Sequence, residues 1–190
     1  MKEITYAYPN TTKLIFDRAS LTIPVGKSVG IVGTSGAGKS TVGVLLAKSM
    51  LMDFCDTDLL IQKKFSKSLC EIINEEGIEA FIKKEDELVS QVKLHNTVVA
   101  TGGSVVYGES AMKNLKENGV VVYLKVGPEE LYERINNIHT RGIAMKEGTT
   151  LNELYNERAP LYEKYADITV DCTGLTPEEC VDRIIAALGK

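Results

Sequence analysis

Short apolar runs alternate with helical patterns along most of the chain. The apolar runs predict five strands, at residues 29–32, 52–55, 97–100, 120–126 and 168–170. The segments between them carry apolar residues at helical spacing, and two of these segments begin with typical helix-start residues, Pro128 and Thr176. Apolar strands alternating with helices predict an α/β domain whose parallel sheet is covered by helices on both faces.

The first 27 residues depart from this pattern. Residues 4–8 and 21–24 are typical of strands, but no crossover helix separates them. We therefore expect a small antiparallel β element ahead of a main domain formed by residues 28–190. Residues 136–149 show weak periodicity, two glycines and mixed charges, which predicts a mobile loop within that domain.

Length and composition are those of one globular domain: 190 residues, 44% hydrophobic and 25% charged. The net charge of −4 argues against a nucleic-acid binder, whose phosphate contacts require a basic face. The four cysteines are dispersed, which favours reduced thiols in a cytoplasmic protein over a zinc site or a disulfide framework. The sequence shows neither a signal peptide nor a long apolar span, so we expect no membrane association.

The glycine-rich stretch after the first strand of the main domain matches the phosphate-binding pattern G-x-x-x-x-G-K-[ST] at every fixed position. Glycines let backbone N–H groups converge on phosphates, and the helix that follows adds its positive N-terminal end. Lys39 is expected to neutralise β- and γ-phosphate oxygens, and Ser40 to bind Mg²⁺. The predicted ATP-binding residues are Gly33, Ser35, Gly36, Ala37, Gly38, Lys39, Ser40 and Thr41.

Acidic residues and glycines follow the next two strands. Asp56 and Asp58 lie at the carboxyl end of the second strand, where ligands bind in an open α/β sheet. One carboxylate is suited to hold Mg²⁺ through water while the other takes a proton from an acceptor hydroxyl, although a helix N-cap also explains them. Gly102 and Gly103 offer bare backbone at the same edge, or simply form a tight turn. Candidate anion binders are two arginines that are otherwise surface charges, Arg141 and Arg158.

The order of these features resembles shikimate kinase over roughly four fifths of the chain. The features are the phosphate loop, Asp56-Thr57-Asp58, Gly102-Gly103, Arg141, the segment Arg158-Ala159-Pro160-Leu161-Tyr162 and the tail 171–177. The resemblance implies a nucleoside-monophosphate-kinase-like fold with a lid at about residues 136–149 and a parallel sheet of strand order 2-3-1-4-5. It also implies transfer of the γ-phosphoryl group of ATP to the 3-hydroxyl of shikimate.

The resemblance also suggests individual roles. Asp58 is expected to bind the acceptor hydroxyl and act as the base, and Asp56 to support Mg²⁺. Gly102 and Gly103 are expected to present backbone to the acceptor, whose carboxylate pairs with Arg158. Arg141 is expected to reach the transferring phosphate from the lid. The residues expected to sandwich adenine are Arg134 and Pro177.

Three positions depart from the family pattern. Ile82 occupies the place of an arginine that clamps the shikimate carboxylate, with Lys83 and Lys84 after it, and Ser104 replaces a third glycine. The lid reads Arg141-Gly142-Ile143 where the family has Arg-Pro-Leu. Loss of a charge-assisted bond worth roughly 1.5–3 kcal/mol predicts weaker acceptor binding. The alternative function is therefore a P-loop protein that binds ATP or ADP with little or no transferase activity.

The beginning of the chain resembles a different family. Residues 4–9 and 21–28 are similar to the start of an ABC transporter ATPase domain, in which a tyrosine matching Tyr8 stacks on adenine. No LSGGQ signature follows. We hypothesise a hybrid joined near the phosphate loop, with Tyr8 as an alternative adenine support. The expected protein is a monomer that acts on a small molecule.

Overall fold

Five parallel strands form the central sheet of the protein. The computed structural model describes residues 4–7, 14–19, 26–135, 142–145 and 148–189. Its strands are β1 Ile4–Ala7, β2 Leu14–Ala19, β3 Ser28–Val32, β4 Asp53–Asp56, β5 Thr97–Ala100, β6 Gly119–Lys125 and β7 Ile168–Asp171. The parallel sheet has the order β4-β5-β3-β6-β7, which is the predicted order 2-3-1-4-5.

Helices cover both faces of this sheet. They are α1 Lys39–Met50, α2 Thr57–Phe65, α3 Leu69–Glu76, α4 Ile78–Gln91, α5 Glu109–Asn118, α6 Pro128–Arg134, α7 Leu151–Tyr165 and α8 Pro177–Leu188, with a 3₁₀ turn at Val105–Tyr107. Among the residues that the structure describes, no helix is long and apolar enough to cross a membrane.

Local sequence signals explain where several helices begin. Three helices begin with a capping box, in which a hydroxyl residue and a glutamate each accept a hydrogen bond from the other's backbone N–H group. The boxes pair Ser68 with Glu71 in α3, Thr150 with Glu153 in α7, and Thr176 with Glu179 in α8. Gly77, with a φ of 85°, separates α3 from α4.

The central strands β3, β5 and β6 are mostly buried because a hydrophobic core lies on each side of the sheet. Val29 and Ile31 of β3 face the core formed with α1 and α8, whereas Val32 faces the core formed with α2 to α5 and α7. After β3 the chain crosses to the first of these cores, and after the neighbouring strand β5 it crosses to the second. The carboxyl ends of β3 and β5 therefore flank a topological switch point, where open α/β sheets bind ligands.

The two N-terminal strands pair with each other in a separate antiparallel sheet. Ile4 lies opposite Ala19, and Ala7 lies opposite Leu14. A small antiparallel element was predicted, and it is confirmed. Its second strand is Leu14–Ala19, whereas the predicted stretch 21–24 lies outside the described residues.

Candidate active site

The phosphate loop connects β3 to the first residue of α1. Gly38, the N-cap of α1, has a φ of 86°, a left-handed conformation that glycine adopts without strain. A Cβ added to Gly38 would meet no atom within 4 Å, so the loop leaves open space in front of the helix N-terminus. Such an N-terminus attracts anions through its free N–H groups and its partial positive charge.

Lys39 lies inside this loop rather than on the surface. Its side chain is buried, and its Nζ donates hydrogen bonds to the carbonyl oxygens of Gly33 at 2.7 Å and Thr34 at 3.0 Å. Burial lowers the pKa of Lys39 to about 8, and the charge of Asp58 partly opposes this shift. The ammonium group has three N–H donors, so two span the loop and a third is left for a phosphate oxygen.

Ser40 and Asp56 form a pair suited to magnesium. Ser40 Oγ donates to Asp56 Oδ2 at 2.7 Å. Asp56 Oδ1 accepts from the backbone N–H groups of Asp58 and Leu59, so the same carboxylate caps α2. The predicted N-cap is thus present, and it orients a carboxylate oxygen and a hydroxyl toward one point. Mg²⁺ prefers such oxygen ligands and retains several waters, so this donor set fits it.

Asp58 lies in the first turn of α2 and faces the phosphate loop across a cavity. Burial raises the pKa of Asp58 to about 6, and the nearby charge of Lys39 partly offsets the shift. A carboxylate with this pKa is ionised at neutral pH and is still basic enough to accept a proton from a reacting hydroxyl.

The glycine pair after β5 is held from two sides. Gly102 donates its N–H to Thr57 Oγ1 at 3.1 Å, and the Gly103 carbonyl accepts from the hydroxyl of Tyr162 at 2.6 Å. Tyr162 is fully buried, and its ring stacks on that of Tyr123 with 5.1 Å between the ring centroids. The turn is therefore rigid, and it lies beside the acidic residue Asp58.

Arg158 is buried beside the glycine turn, with only 1% of its surface exposed. Its Nε donates to the hydroxyl of Tyr107 at 3.2 Å, and one Nη donates to the carbonyl of Ala144. A Cβ added to Gly103 would lie 3.2 Å from the other Nη, so this part of the guanidinium faces the glycine turn. A surface charge, the alternative left open for Arg158, is therefore wrong.

A cavity of about 370 Å³ joins the phosphate loop to the glycine turn. Its lining residues are Ser35, Gly36, Gly38, Lys39, Ser40, Thr41, Asp58, Thr101, Gly103 and Arg134. The loop residues Gly33 and Ala37 do not line this cavity, and the Ala37 N–H instead donates to Thr34 within the loop. Three predicted residues do not line the cavity but adjoin residues that do. Asp56 accepts from Ser40, Gly102 precedes Gly103, and an Nη of Arg158 faces Gly103.

The remaining predicted residues lie at one end of the cavity or outside the described residues. Arg134 forms an ion pair with Glu130, whose other oxygen accepts from the Gly174 N–H at 2.8 Å. This bond ties α6 to the loop before Pro177, which is exposed at the start of α8 and does not line the cavity. Tyr8, Arg141 and most of the predicted lid lie outside the described residues.

Comparison with known proteins shows the family of the chain. The shikimate kinase family model matches residues 35–189. The chain belongs to the shikimate kinase family. It is 36% identical over 162 residues to the shikimate kinase of Thermodesulfovibrio yellowstonii, covering 84% of this chain and 93% of that one. It is 37% identical over 167 residues to the shikimate kinase of Caldanaerobacter subterraneus subsp. tengcongensis, covering 86% and 97%.

Solved shikimate kinases have the same fold. The enzyme from Acinetobacter baumannii in complex with shikimate superposes with a TM-score of 0.76 at 29% identity, covering 85% of this chain and 92% of that one. The enzyme from Aquifex aeolicus superposes with a TM-score of 0.72 at 32% identity, covering 85% and 95%. These comparisons do not support the ABC transporter resemblance of the N-terminal segment or the hypothesis of a hybrid.

The structure gives the surroundings of the positions that depart from the shikimate kinase pattern. Ile82 is half-buried and packs against the second core, so it brings no charge to the acceptor side. Lys84 forms an ion pair with Glu76 at 2.7 Å, and its ammonium group lies over the ring of Phe65. Its charge is therefore already paired within the protein. Ser104 is buried and donates to Glu85 Oε2 at 2.5 Å.

Sequence reasoning missed two residues near this shikimate kinase site, Glu85 and Tyr162. Glu85 lies in a run of charged residues that is typical of an exposed helix face. A signal was present, because Phe81, Leu88 and Val89 share its face of α4 and are all buried. Tyr162 belonged to a recognised segment, but nothing local in the sequence indicates that its hydroxyl reaches Gly103.

The burial of Glu85 predicts a measurable pH dependence of stability. Burial raises the pKa of Glu85 from 4.5 to about 7, so the folded state binds this proton more tightly than the unfolded state. Its stabilising contribution is complete below pH 4.5 and is lost as the pH rises to about 7, a loss of up to about 3 kcal/mol. Glu85→Gln removes this titration. The free energy of unfolding of the variant, relative to wild type, should therefore be higher at pH 8 than at pH 4.5.

Urea unfolding at both pH values measures this difference. Glu87→Gln, at an exposed position of the same helix, is the matched control and should show no such gain. An equal difference between Glu85→Gln and wild type at both pH values would contradict the prediction.

Proposed function

We propose that this protein is an ATP-dependent shikimate kinase that transfers the γ-phosphoryl group of ATP to the 3-hydroxyl of shikimate. The observation that carries the proposal is the convergence of Lys39, Asp58 and Gly103 on one cavity, with the buried Arg158 behind the glycine turn. The family membership supports the reaction type. The Acinetobacter baumannii relative, whose structure contains shikimate, supports the choice of acceptor.

The nucleotide phosphates are proposed to bind in the phosphate loop. Ser35, Gly36 and Gly38 line the cavity in front of the α1 N-terminus, which favours negative charge. Lys39 is mostly protonated at neutral pH despite its lowered pKa of about 8, so it brings a positive charge to the transferring phosphate. Ser40 and Asp56 would hold Mg²⁺, which when bound neutralises charge on the phosphate oxygens.

The acceptor is proposed to bind between Asp58 and the glycine turn. Asp58 takes the proton from the 3-hydroxyl as the hydroxyl oxygen forms its bond to the γ-phosphorus, and the bond to the bridging oxygen of ADP breaks. Arg158 offers one Nη near Gly103 for the carboxylate of shikimate, while its Nε and its other Nη each donate to a protein oxygen. Arg141 is proposed to approach the transferring phosphate from the lid. Positioning and charge neutralisation then supply most of the catalysis.

The proposed enzyme works as a cytoplasmic monomer. ATP is available in that compartment, which also keeps thiols reduced, and the cysteines in the structure form no disulfide among the described residues.

Acceptor-dependent release of ADP tests the proposed function. With ATP and Mg²⁺, the wild-type rate should rise when millimolar shikimate is added. Asp58→Asn removes the base and should lower kcat by about 10²–10⁴-fold. Asp53→Asn, at the exposed start of β4, is the matched control and should keep the wild-type rate. ATP binding without any response to shikimate would refute the proposal and favour the alternative, a protein that only binds the nucleotide.

Adenine is proposed to lie between Arg134 and the start of α8. Arg134 lines the cavity, and the Glu130 contacts fix it against the loop that leads to Pro177. The competing support is Tyr8, which the N-terminal resemblance suggests.

Substituting Arg134 and Tyr8 in turn shows which of them contacts adenine. Arg134→Ala should weaken ATP binding by about 1 kcal/mol, roughly fivefold, because it removes a cation from the face of the base. Tyr8→Ala should leave the ATP affinity unchanged. Isothermal titration with a non-hydrolysable ATP analogue measures both, with Arg183→Ala, outside the cavity, as the control. Weakened binding in Tyr8→Ala alone would contradict the assignment and restore the N-terminal support.

A further inference from the structure

Tyr107 contacts two consecutive residues of α7, the exposed Glu157 and the buried Arg158. Its hydroxyl donates to Glu157 Oε1 at 2.5 Å and accepts from Arg158 Nε at 3.2 Å. The guanidinium also lies over the tyrosine ring, with its central carbon 5.2 Å from the ring centroid. Tyr107 therefore holds Arg158 through a hydrogen bond and a cation–π contact.

The two hydrogen bonds of the Tyr107 hydroxyl have only one possible direction. A tyrosine hydroxyl carries one proton, a carboxylate accepts, and a guanidinium only donates. Because the proton points to Glu157, the lone pairs of the hydroxyl oxygen are left for Arg158. Burial raises the pKa of Tyr107, and the hydrogen bond to Glu157 raises it further, so the hydroxyl keeps its proton at neutral pH. Glu157 thus directs the contact between Tyr107 and Arg158.

The backbone that carries Tyr107 is fixed by the second core. Val105 and Val106 are buried in that core, and the Tyr107 N–H donates to the Ser104 carbonyl at 2.9 Å. This 3₁₀ turn follows the glycine turn directly along the chain. The Tyr107 hydroxyl therefore has a defined position relative to Gly103.

The contacts of Arg158 leave one end of its guanidinium directed toward the cavity. Nε is held by Tyr107 and one Nη by the Ala144 carbonyl, and together they restrict rotation of the guanidinium plane. A Cβ added to Gly103 would lie 3.2 Å from the other Nη and 3.1 Å from Ser35 Oγ. Gly103 and Ser35 both line the cavity, so this Nη lies at the cavity wall.

We propose that Tyr107 is a positioning residue for the acceptor: its hydroxyl, directed by Glu157, sets the orientation in which Arg158 presents one Nη to the acceptor's carboxylate. This inference rests on the proposed function, in which Arg158 binds the carboxylate of shikimate. Tyr107 does not line the cavity, so it acts through Arg158 and not by touching the acceptor. Ile82 brings no charge to the acceptor side, which makes the orientation of this guanidinium more important for recognition.

Tyr107→Phe tests this role because it keeps a ring beside Arg158 and removes only the hydroxyl. The variant should raise KM for shikimate about five- to twentyfold, because the guanidinium loses one of its two restraints. Its kcat should stay within about twofold of wild type, since the carboxylate is remote from the reacting hydroxyl and is bound equally before and during the transfer. KM for ATP should not change.

An acceptor without the carboxylate separates positioning from a general structural role. The cyclohexene triol that keeps the three hydroxyls of shikimate should react with wild type at about ten- to a hundredfold lower kcat/KM. Tyr107→Phe should cause no further loss with this triol. Equal losses with shikimate and with the triol would show that the hydroxyl only supports the fold, and they would overturn the proposal. An unchanged KM for shikimate would overturn it as well.

Glu157→Ala is a second variant, which keeps the proposal testable if Tyr107→Phe fails to fold. It removes the partner that directs the Tyr107 hydroxyl, so it should raise KM for shikimate about two- to fivefold and leave the triol unaffected. An equal effect on both acceptors would contradict the proposal. Tyr132→Phe removes a hydroxyl from a tyrosine that is 39% exposed on α6, and as the matched control it should behave as wild type.

Wild-type phosphorylation of shikimate is measured first. Its absence contradicts the proposed function, whereas equal losses with the two acceptors contradict only the role of Tyr107.

Discussion

The site depends on charged side chains that are buried at the carboxyl end of the sheet. Lys39, Glu85 and Arg158 are each at most 8% exposed. A buried charge is tolerated only with hydrogen-bond partners or an opposite charge. Lys39 has two loop carbonyls, Arg158 has Tyr107 and Ala144, and Glu85 has Ser104. The bond between Glu85 and Ser104 therefore links α4 to the end of the glycine turn, and the bonds of Lys39 hold the phosphate loop together.

The same burial moves the pKa values of Lys39 and Asp58 toward neutral pH. The pKa of Lys39 falls to about 8 while that of Asp58 rises to about 6, and each charge moderates the shift of the other. A lysine in this range remains charged at pH 7, and an aspartate in this range becomes a stronger base. The switch point between β3 and β5 makes this arrangement possible, because the chain leaves the two strands toward opposite faces of the sheet.

The phosphate loop and the sheet order were predictable because their determinants are local or belong to a family pattern. Every donor of the loop lies within eight residues of Gly33, and four of the five strands of the parallel sheet are short runs that contain β-branched residues. The burial of Arg158 was not predictable from spacing, since its partner Tyr107 is 51 residues away. The burial of Glu85 did have a local signal, the apolar face of α4, but its partner Ser104 is 19 residues away. In the N-terminal element, Leu14–Ala19 includes Asp17 and Arg18, so its polarity concealed a strand that pairs with β1.

The identity of the phosphorylated product tests the account most directly. Wild-type protein is incubated with ATP, Mg²⁺ and shikimate, and the mixture is followed by phosphorus NMR. We predict a new phosphomonoester resonance that couples to the ring proton at position 3 and grows in step with ADP. A spectrum that gains only ADP and inorganic phosphate, or that does not change, would contradict the assignment of this site as a shikimate kinase centre.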